Sequence, residues 1–585
     1  MSEIRSRPVL PASQTLGLRG VAFWAAIIGL LLLSAGLMWH DLAAHEVLGR
    51  DENVTIVKLD QPGLKAVLDA SRLKFTGQPS NTQPLYFVLL YWFWPLVERS
   101  AFMMRFLSSA FGLLTIVLTY KLGETLFDRE VGLIGALLTS VLMLHVQYSQ
   151  IARPYTLLAA LSLASAFALV IALRTNRPLH WAVFALIAAL NFYNHYNAVF
   201  VLVAEGLFTA LVWLASLVNV RRGKQVPRRL LGPVLSFLFI GLLCAPGIVR
   251  LYGLPWVGLE GQAESGGKIA IELSQSFFRG FLYKIGLQAR WQQNLIVALM
   301  GLGLAASLYR RRWQAAMLSV LWISLPFLVL SLMKSPRPFE ERYLIFVPPV
   351  AFLLVGQGVV LGADLLSALG RRWRMRGLRW AILVALSAGL AFLVAGSLDS
   401  YYAANRAADR LDQTIRVVER QARSGDVVVI SPRSFVRPLA VEGADVLYLR
   451  EHLSPAELDD LASRYRRMWI LHTSFIPPAE LQEPLDRWVQ TKLDVLVRVP
   501  IKAVNVLTFG IVSPTEPEAD LKDAIKVMED FSQSPSGRYE TWARSILLAD
   551  AYQALGDYYA SQGEPGLAAE YRDKAEEART AVPPP

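Results

Sequence analysis

The stretch VAFWAAIIGLLLLSAGLMW, residues 21–39, carries no charged side chain over 19 positions. As an α-helix it is long enough to cross the hydrocarbon core of a bilayer, and no small-residue cleavage site follows it, so we interpret it as a retained span and not as a signal peptide. Similar uncharged runs recur over the first 400 of the 585 positions, and 54% of the residues are apolar while 18% are charged. This composition predicts a multi-pass α-helical membrane protein.

Three basic loops predict the orientation of the helices: RRGKQVPRR at 221–229, RRR at 310–312 and RRWRMR at 371–376. Short cytoplasmic loops of membrane proteins are enriched in Lys and Arg, so we place these loops and the N-terminus, residues 1–20, on the cytoplasmic side. Alternation of the spans then places the loops at 251–292 and 334–342, and everything after about residue 399, on the outer side.

The segment PLYFVLLYWFWPLV at 84–97 breaks this alternation if it crosses the membrane. Its 14 residues rise roughly 21 Å as a helix, which is less than a hydrocarbon core of about 30 Å. We therefore predict a re-entrant or interfacial helix at this position. Without it we count eleven firm crossings, and the full range is about 11–13 transmembrane helices.

The composition after residue 400 becomes that of an ordinary globular protein. Short apolar segments at 426–430, 445–449, 468–472, 493–499 and 504–512 alternate with helical patterns. This alternation predicts a soluble, extracytoplasmic α/β domain at 401–515, and it lacks the glycine-rich loop of a nucleotide site. Residues 516–585 resemble one tetratricopeptide (TPR) unit, a helical hairpin that we expect to cap the α/β domain; docking of a partner is the alternative.

Two further features narrow the class of protein. The single cysteine, Cys244, excludes an intrachain disulfide and a cysteine-based metal cluster. The net charge is +11, and the basic residues concentrate in the short loops between apolar runs. Their predicted role is to orient the spans in the membrane, so no nucleic-acid partner is expected.

Polar side chains from distant segments are predicted to meet on the outer face. Asp51 and Glu52 follow the first span in the sequence RDEN, and Arg153 follows a later span in SQIARPY. The same alternation brings Gln150, His195 and the residues Glu340 to Arg342 to this face. We expect these groups to form one site.

Three stretches make the chain similar to the GT-C superfamily of membrane glycosyltransferases, which take sugar from a polyprenyl-phosphate carrier. RDEN resembles the family's Asp-Glu motif, NTQPLYFVLLYWFW resembles its His-Pro-Pro-Leu-Tyr motif, and residues 104–165 follow its next hundred residues in pattern. FEERYLIFVPPV resembles the Arg-Tyr entry to a late helix. The nearest branch is that of the lipid-A sugar and mannan-type transferases, with protein O-mannosyltransferases and the aminoarabinose transferase as more distant relatives.

The resemblance implies a GT-C catalytic domain at 21–400, with a first outer loop at 40–101 and a later outer loop at 251–292. Asp51 is then the base that takes the proton of the acceptor hydroxyl, and Glu52 orients the acceptor or helps to hold a divalent ion such as magnesium or manganese. The alternative is structural: Asp51 caps a juxtamembrane helix and Glu52 places a favourable charge in its first turn.

The phosphate leaving group of the donor needs cations. Arg153 and Arg342 suit this role because a guanidinium makes forked contacts with phosphate oxygens. The other candidates for binding the donor phosphate or sugar are Tyr155, Tyr343, Gln150, His195, Lys334 and Arg337. The alternatives are anchoring of Arg and Tyr at the membrane interface and, for His195, a polar group at a helix end.

Two positions depart from the family pattern. Ile151 replaces the glutamate of the family's Gln-Glu-Ala-Arg motif, and Thr82-Gln83-Pro84 replaces His-Pro-Pro. The lost acid and imidazole leave open an altered donor or a loss of activity.

We therefore interpret the chain as an inverting hexosyl- or pentosyltransferase of the bacterial plasma (inner) membrane. It is expected to move a monosaccharide from a polyprenyl-phosphate carrier to a glycan, lipid or protein acceptor on the outer face. A transporter or flippase for a lipid-linked sugar and a catalytically inactive membrane scaffold are the alternative functions.

Overall fold

A computed structural model of the chain describes the following residues: 18–40, 42, 52, 55, 58–59, 61–71, 83–93, 95, 101–220, 231–252, 278–332, 340–369, 377–408, 410–431, 441, 443–448, 455–472, 488, 491, 493–502, 505–512, 516–532 and 538–581. The chain divides into two compact units. The membrane unit contains residues 1–43 and 57–401, and the C-terminal unit contains residues 44–56 and 402–585. The predicted domain boundaries assign 44–56 to the first domain instead, and they stay predictions.

Among its described residues, the membrane unit consists of helices joined by turns and loops, without a strand. Its helices are α1 (Leu18–Trp39), α2 (Leu64–Ser71), α3 (Leu85–Phe93), α4 (Ala101–Leu126), α5 (Arg129–Ser140), α6 (Met143–Ser149), α7 (Tyr155–Thr175), α8 (Pro178–Asn194), α9 (Ala198–Val220), α10 (Leu231–Tyr252), α11 (Arg290–Tyr309), α12 (Trp313–Leu332), α13 (Val347–Leu369), α14 (Leu378–Ala395) and, across the boundary of the units, α15 (Leu398–Ala408).

Local sequence signals set several of these helix ends. The Asp128 side chain caps α5 by accepting a hydrogen bond from the Val131 backbone N–H at 3.0 Å. Asn176 ends α7 in the left-handed conformation, with φ of 52°, and Pro178 begins α8.

Eight helices among the described residues are long and apolar enough to cross a membrane, or nine if α5 and α6, which meet at a bend of 64°, form one broken span. The apolar part of α1, Trp24–Trp39, is shorter than this criterion requires. Helix α3 has nine residues and rises only about 14 Å, in the segment predicted not to cross. A multi-span helical membrane fold is thus confirmed, whereas the range of 11–13 crossings stays a prediction.

Helices α11 and α13 approach each other closely at two glycines. A Cβ atom on Gly303 would lie 1.9 Å from the carbonyl oxygen of Leu354, and one on Gly358 would lie 2.3 Å from that of Leu299. Only residues without a side chain allow the two backbones this approach. The contact fixes α13, whose N-terminal end follows Arg342 directly.

The C-terminal unit contains a five-stranded sheet with strand order β2-β1-β3-β5-β4. Its elements are α16 (Arg410–Gln421), β1 (Val427–Ser431), β2 (Asp445–Tyr448), α17 (Pro455–Arg464), β3 (Arg467–His472), β4 (Leu493–Lys502), β5 (Asn505–Val512), α18 (Pro517–Ser532), α19 (Arg538–Ser561) and α20 (Pro565–Thr580). Strand β1 pairs in parallel with β2 and β3, and β5 pairs antiparallel with β3 and β4. A strand lies in each of the five segments predicted from the sequence.

The alternation of side chains along the strands separates two apolar layers. Val428 and Ile430 pack with Trp469 on the face that α16 and α18 cover, whereas Val427 and Val429 pack with residues of α17 on the opposite face. Helices α18 to α20 share a further cluster. The TPR-like character of α19 and α20 and the outer location of this unit stay predictions.

Candidate functional site

Two arginines from separate parts of the membrane unit lie against the same aromatic ring. The guanidinium carbons of Arg153 and Arg342 are 5.9 and 5.5 Å from the ring centroid of Tyr155. The rings of His195 and Tyr343 lie 5.8 and 6.3 Å from that of Tyr155. We call these five residues the arginine–tyrosine cluster. The structure therefore brings together five of the residues that the sequence predicts for donor binding.

Hydrogen bonds to its backbone hold the turn that carries Arg153 between α6 and α7. The Ser109 hydroxyl donates to the carbonyl of Ser149 at 2.8 Å, and the Asn194 amide donates to that of Pro154 at 3.1 Å. The Ser108 hydroxyl donates to the carbonyl of Arg153 itself at 3.3 Å. Because partners from α4 and α8 satisfy these carbonyls, the turn is preorganised.

A tyrosine of the PLYF segment supports this turn from a third helix. The hydroxyls of Tyr86 and Ser108 are 2.7 Å apart. Since Ser108 uses its single proton for the carbonyl of Arg153, Tyr86 must be the donor to Ser108. Tyr86 was not among the site residues predicted from the sequence, although it belongs to the motif that carries the resemblance.

Arg342 lies in a 3-10 turn, Glu341–Leu344, that leads into α13. The Asn197 amide donates to the carbonyl of Tyr343 at 3.3 Å, and Arg342 forms an ion pair with Glu340. Glu341 accepts a hydrogen bond from the Tyr148 hydroxyl at 3.4 Å and lies 3.5 Å from the Lys284 ammonium. The cluster thus has carboxylates and a lysine at its border, and Glu340 and Glu341 were predicted from the sequence to lie on this face.

The protonation state of His195 follows from its surroundings. The backbone N–H of Asn197 donates to Nδ1 at 3.2 Å, so Nε2 carries the proton of the neutral ring. Burial, followed by the positive charges of Arg153 and Arg342, lowers the pKa of His195 to about 3. At neutral pH the ring is therefore uncharged and presents an N–H donor.

Gln150 borders the cluster, but its side chain contacts other parts of the membrane unit. The amide nitrogen donates to the carbonyls of Met38 and His40, and the amide oxygen accepts from Tyr401. Ile151, at one departure from the family pattern, packs against the apolar core, and Gln83, at the other, is buried.

The remaining predicted residues are not placed in this cluster. Asp51, Lys334 and Arg337 lie outside the described residues, and so does Thr82. Glu52 is buried and belongs to the C-terminal unit. The union of Asp51 and Glu52 with the arginines therefore stays a prediction.

Metal binding was left open by the sequence. Among the residues that the structure describes, no three His, Cys, Asp or Glu side chains are grouped so that they could hold a metal ion. The suggested magnesium or manganese ion would use Asp51, which lies outside them, so this suggestion also stays a prediction.

Comparison with known proteins agrees with the motifs. Residues 79–240 match the family described as dolichyl-phosphate-mannose-protein mannosyltransferase. This range includes Tyr86, Arg153, Tyr155 and His195, but not Arg342. No curated protein matches the sequence.

Among solved structures, the chain is similar to ArnT from Cupriavidus metallidurans bound to undecaprenyl phosphate, with a TM-score of 0.50, 13% identity, and coverage of 84% of this chain and 98% of ArnT. ArnT in the apo state gives a TM-score of 0.49 at 13% identity, covering 85% and 99% of the two chains. The archaeal oligosaccharyltransferase AglB from Archaeoglobus fulgidus, in complex with an inhibitory peptide and a dolichol-phosphate, gives 0.48 at 11% identity, covering 94% and 87%.

The match to ArnT with undecaprenyl phosphate concerns the fold, because the identity is low. The resemblance inferred from the motifs is confirmed by the family match and by this fold. Over residues 79–240 the chain is similar to the family described as dolichyl-phosphate-mannose-protein mannosyltransferase, and over 84% of its length its fold is similar to that of ArnT.

Proposed function

We propose that the protein is an inverting glycosyltransferase that moves a monosaccharide from a polyprenyl-phosphate carrier to an acceptor hydroxyl. The observation that carries this proposal is the convergence of Arg153 and Arg342 on Tyr155 at the ends of membrane helices. A lipid-linked phosphate lies at headgroup depth, where side chains at helix ends can reach it. A guanidinium binds phosphate oxygens through pairs of parallel hydrogen bonds.

The arginine–tyrosine cluster would bind the phosphate and stabilise the charge that develops as it leaves. Arg153 and Arg342 supply positive charge in a partly buried setting, where electrostatic stabilisation is stronger than in water. The neutral His195 adds an N–H donor without a further charge. Undecaprenyl phosphate, which is bound in the ArnT structure, supports a carrier of this class.

In the proposed reaction the acceptor oxygen forms a bond to the anomeric carbon from the side opposite the phosphate. The carbon–oxygen bond to the phosphate breaks, and the electron pair leaves with the carrier phosphate. Asp51 takes the proton of the acceptor hydroxyl, and Glu52 orients the acceptor. The sugar is a hexose or a pentose, and the acceptor is a glycan, a lipid or a protein.

The proposal places the reaction on the outer face of a bacterial plasma membrane. The N-terminus is then cytoplasmic, and residues 401–585 are extracytoplasmic. The basic loops at 221–229, 310–312 and 371–376 support this orientation.

The test supplies radiolabelled polyprenyl-phosphate sugars to the purified full-length protein in detergent and follows label into an acceptor fraction. Wild type is compared with Asp51→Asn, and Asp399→Asn is the control because it makes the same change at an exposed residue. We expect transfer by wild type and by the control, and a loss of at least about 100-fold for Asp51→Asn, since general base catalysis contributes about 100- to 10,000-fold.

Equal transfer by all three proteins would remove Asp51 from the role of base. Label that moves between the leaflets of proteoliposomes without a new glycosidic bond would favour a flippase. If no carrier gives transfer under any condition, the proposal of catalysis falls and the inactive scaffold is favoured.

A further inference from the structure

The Gln150 side chain uses both of its N–H groups within the protein. Its amide nitrogen donates to the carbonyl of Met38 at 3.0 Å and to that of His40 at 2.9 Å. Its amide oxygen accepts from the Tyr401 hydroxyl at 2.8 Å, and Gln150 is only 6% exposed. A glutamine side chain has two donor hydrogens, so none remains for a sugar hydroxyl.

These hydrogen bonds join three parts of the membrane unit that are distant in sequence. The carbonyls of Met38 and His40 lie at the C-terminal end of α1, where helix carbonyls have no partner within the helix. Tyr401 lies in α15. Gln150 therefore ties the end of the first helix and α15 to one point.

That point adjoins the turn that presents Arg153. The backbone N–H of Gln150 closes α6 on the carbonyls of Val146 and Gln147, at 3.2 and 3.1 Å. Three residues on, the backbone N–H of Arg153 donates to the carbonyl of Ile151 at 2.8 Å. Because only two residues separate Gln150 from Arg153 in the chain, a shift of Gln150 displaces the start of the turn. The Arg153 guanidinium moves with it.

We propose that Gln150, held by Tyr401, is a positioning residue that fixes Arg153 for the carrier phosphate and does not bind the sugar. This inference rests on the proposed function, because it assigns the phosphate to Arg153. It changes the prediction made from the sequence, in which Gln150 was a candidate ligand of the donor.

The two roles differ in their effect on a carrier without sugar. A sugar ligand matters only when the sugar is present, whereas a positioning residue changes the affinity for the phosphate itself. The experiment therefore measures the Kd of undecaprenyl phosphate and of the sugar-charged donor for the full-length protein in nanodiscs. The variants are Gln150→Glu, which sets a carboxylate against two carbonyl oxygens, and Tyr401→Phe, which removes one hydroxyl.

The matched control is Gln147→Glu, the same substitution one turn earlier on α6, where only the backbone carbonyl and not the side chain takes part in these hydrogen bonds. We expect Gln150→Glu to weaken binding of undecaprenyl phosphate by at least about tenfold, and Tyr401→Phe by about threefold to fivefold, since one hydrogen bond contributes about 1 kcal/mol, or about fivefold. The two substitutions together should lose less than the product of their separate effects. Gln147→Glu should stay within twofold of wild type.

Melting temperatures and the monodisperse fraction are measured alongside, so that each Kd refers to folded protein. A role limited to stability would lower the melting temperature and leave the Kd of folded protein unchanged, which would overturn the inference. Weaker binding of the sugar-charged donor alone, with wild-type behaviour of Tyr401→Phe, would restore Gln150 as a sugar ligand. If wild type binds neither carrier, the proposed function itself fails; wild-type binding with unaltered variants refutes only the role of Gln150.

Discussion

The two ends of the membrane unit both contain arginines, but the neighbours of these arginines differ. At the end predicted to be cytoplasmic, Arg379 donates to both carboxylate oxygens of Glu130, at 2.9 and 2.6 Å, and to Asp364 at 2.6 Å. Arg310 donates to the same Asp364 at 2.7 Å. We call these four residues the carboxylate network. At the opposite end, Arg153 and Arg342 lie over the ring of Tyr155, and Arg342 also pairs with Glu340, two residues earlier in the chain.

This difference indicates what each group of arginines does. A carboxylate that contacts the N–H edges of a guanidinium neutralises it and ties two helices together, as Arg379 ties α14 to α5 and α13. An aromatic ring contacts the face of a guanidinium, and this arrangement is compatible with hydrogen bonds from the edges to an oxyanion. The carboxylate network joins helices and is therefore expected to support stability. The pair of Arg342 with Glu340 lies within one short segment and joins no two helices, so the arginine–tyrosine cluster is expected to support binding.

The largest effect is expected from a substitution that disturbs both ends at once. Gly303→Leu places a side chain where a Cβ already lies 1.9 Å from the Leu354 carbonyl, so α11 and α13 must separate. Since α13 carries Asp364 and the turn with Arg342 leads into its first residue, Val347, both groups of arginines should lose their geometry. We expect destabilisation by more than about 3 kcal/mol and little folded protein in size-exclusion chromatography and thermal unfolding.

Gly301→Leu is the control, because a Cβ at this position of the same helix meets no atom within 4 Å. It should fold with a melting temperature close to that of wild type. Equal yields of folded protein from both variants would mean that the close crossing of α11 and α13 is not needed.

The second-largest effect is expected from a substitution that changes only the arginine–tyrosine cluster. Arg342→Met removes a guanidinium from the arginine–tyrosine cluster, and hydrogen bonds to charged groups contribute about 1.5 to 3 kcal/mol. We expect undecaprenyl phosphate to bind about 10- to 100-fold more weakly, with little change in melting temperature. Isothermal titration of the protein in nanodiscs measures the first quantity, and unchanged affinity would contradict a phosphate role for Arg342.

The corresponding substitution at the other end should have the reverse signature. Arg379→Met removes the two hydrogen bonds to Glu130 and the one to Asp364. The residues of the arginine–tyrosine cluster are unchanged. We expect a loss of about 2 kcal/mol in stability, seen as a lower melting temperature, and a wild-type Kd for the carrier. Lys121→Met, which breaks the exposed pair of Lys121 with Glu124, is the control and should change stability by less than about 0.5 kcal/mol.

The sequence predicts some parts of this arrangement well, because their signals are local. Long uncharged runs identify spans such as α7 and α13, and arginines at the ends of such runs identify Arg153 and Arg342. The bend of 64° between α5 and α6 was not predicted, since the residues between these helices, Val141 and Leu142, include neither proline nor glycine.

Contacts between distant segments were also missed. The hydrogen bond of Tyr86 to Ser108 and those of Gln150 to the end of α1 depend on how helices pack, and no periodicity in the sequence encodes them. Gln150 was therefore interpreted as a ligand, because alternation of the spans places it on the same face as Arg153 and His195. The predicted position of Asp51 beside the arginines depends on helix packing in the same way, and the transfer assay with Asp51→Asn tests it.

The smallest effect concerns the charge of the cluster and its dependence on pH. The pKa of His195 is about 3 in the folded protein, below the ordinary value of about 6.5, and the groups that face the ring are Arg153, Arg342, Tyr155, Tyr343 and Tyr196. Between these pH values the unfolded chain binds more protons than the folded protein, so stability rises with pH and falls on acidification below about 6.5.

We therefore expect His195 to contribute about 1 kcal/mol of the stability that wild type loses between pH 7 and pH 5.5. His195→Gln should lose correspondingly less over this interval, whatever its stability at pH 7. His180→Gln, at the start of the same helix α8, should keep the wild-type dependence. Thermal unfolding of the three proteins at both pH values measures the difference. Parallel curves for wild type and His195→Gln would mean that burial and the two arginines leave the pKa of His195 at its value in the unfolded chain, which would contradict the buried, positively charged environment inferred for this ring.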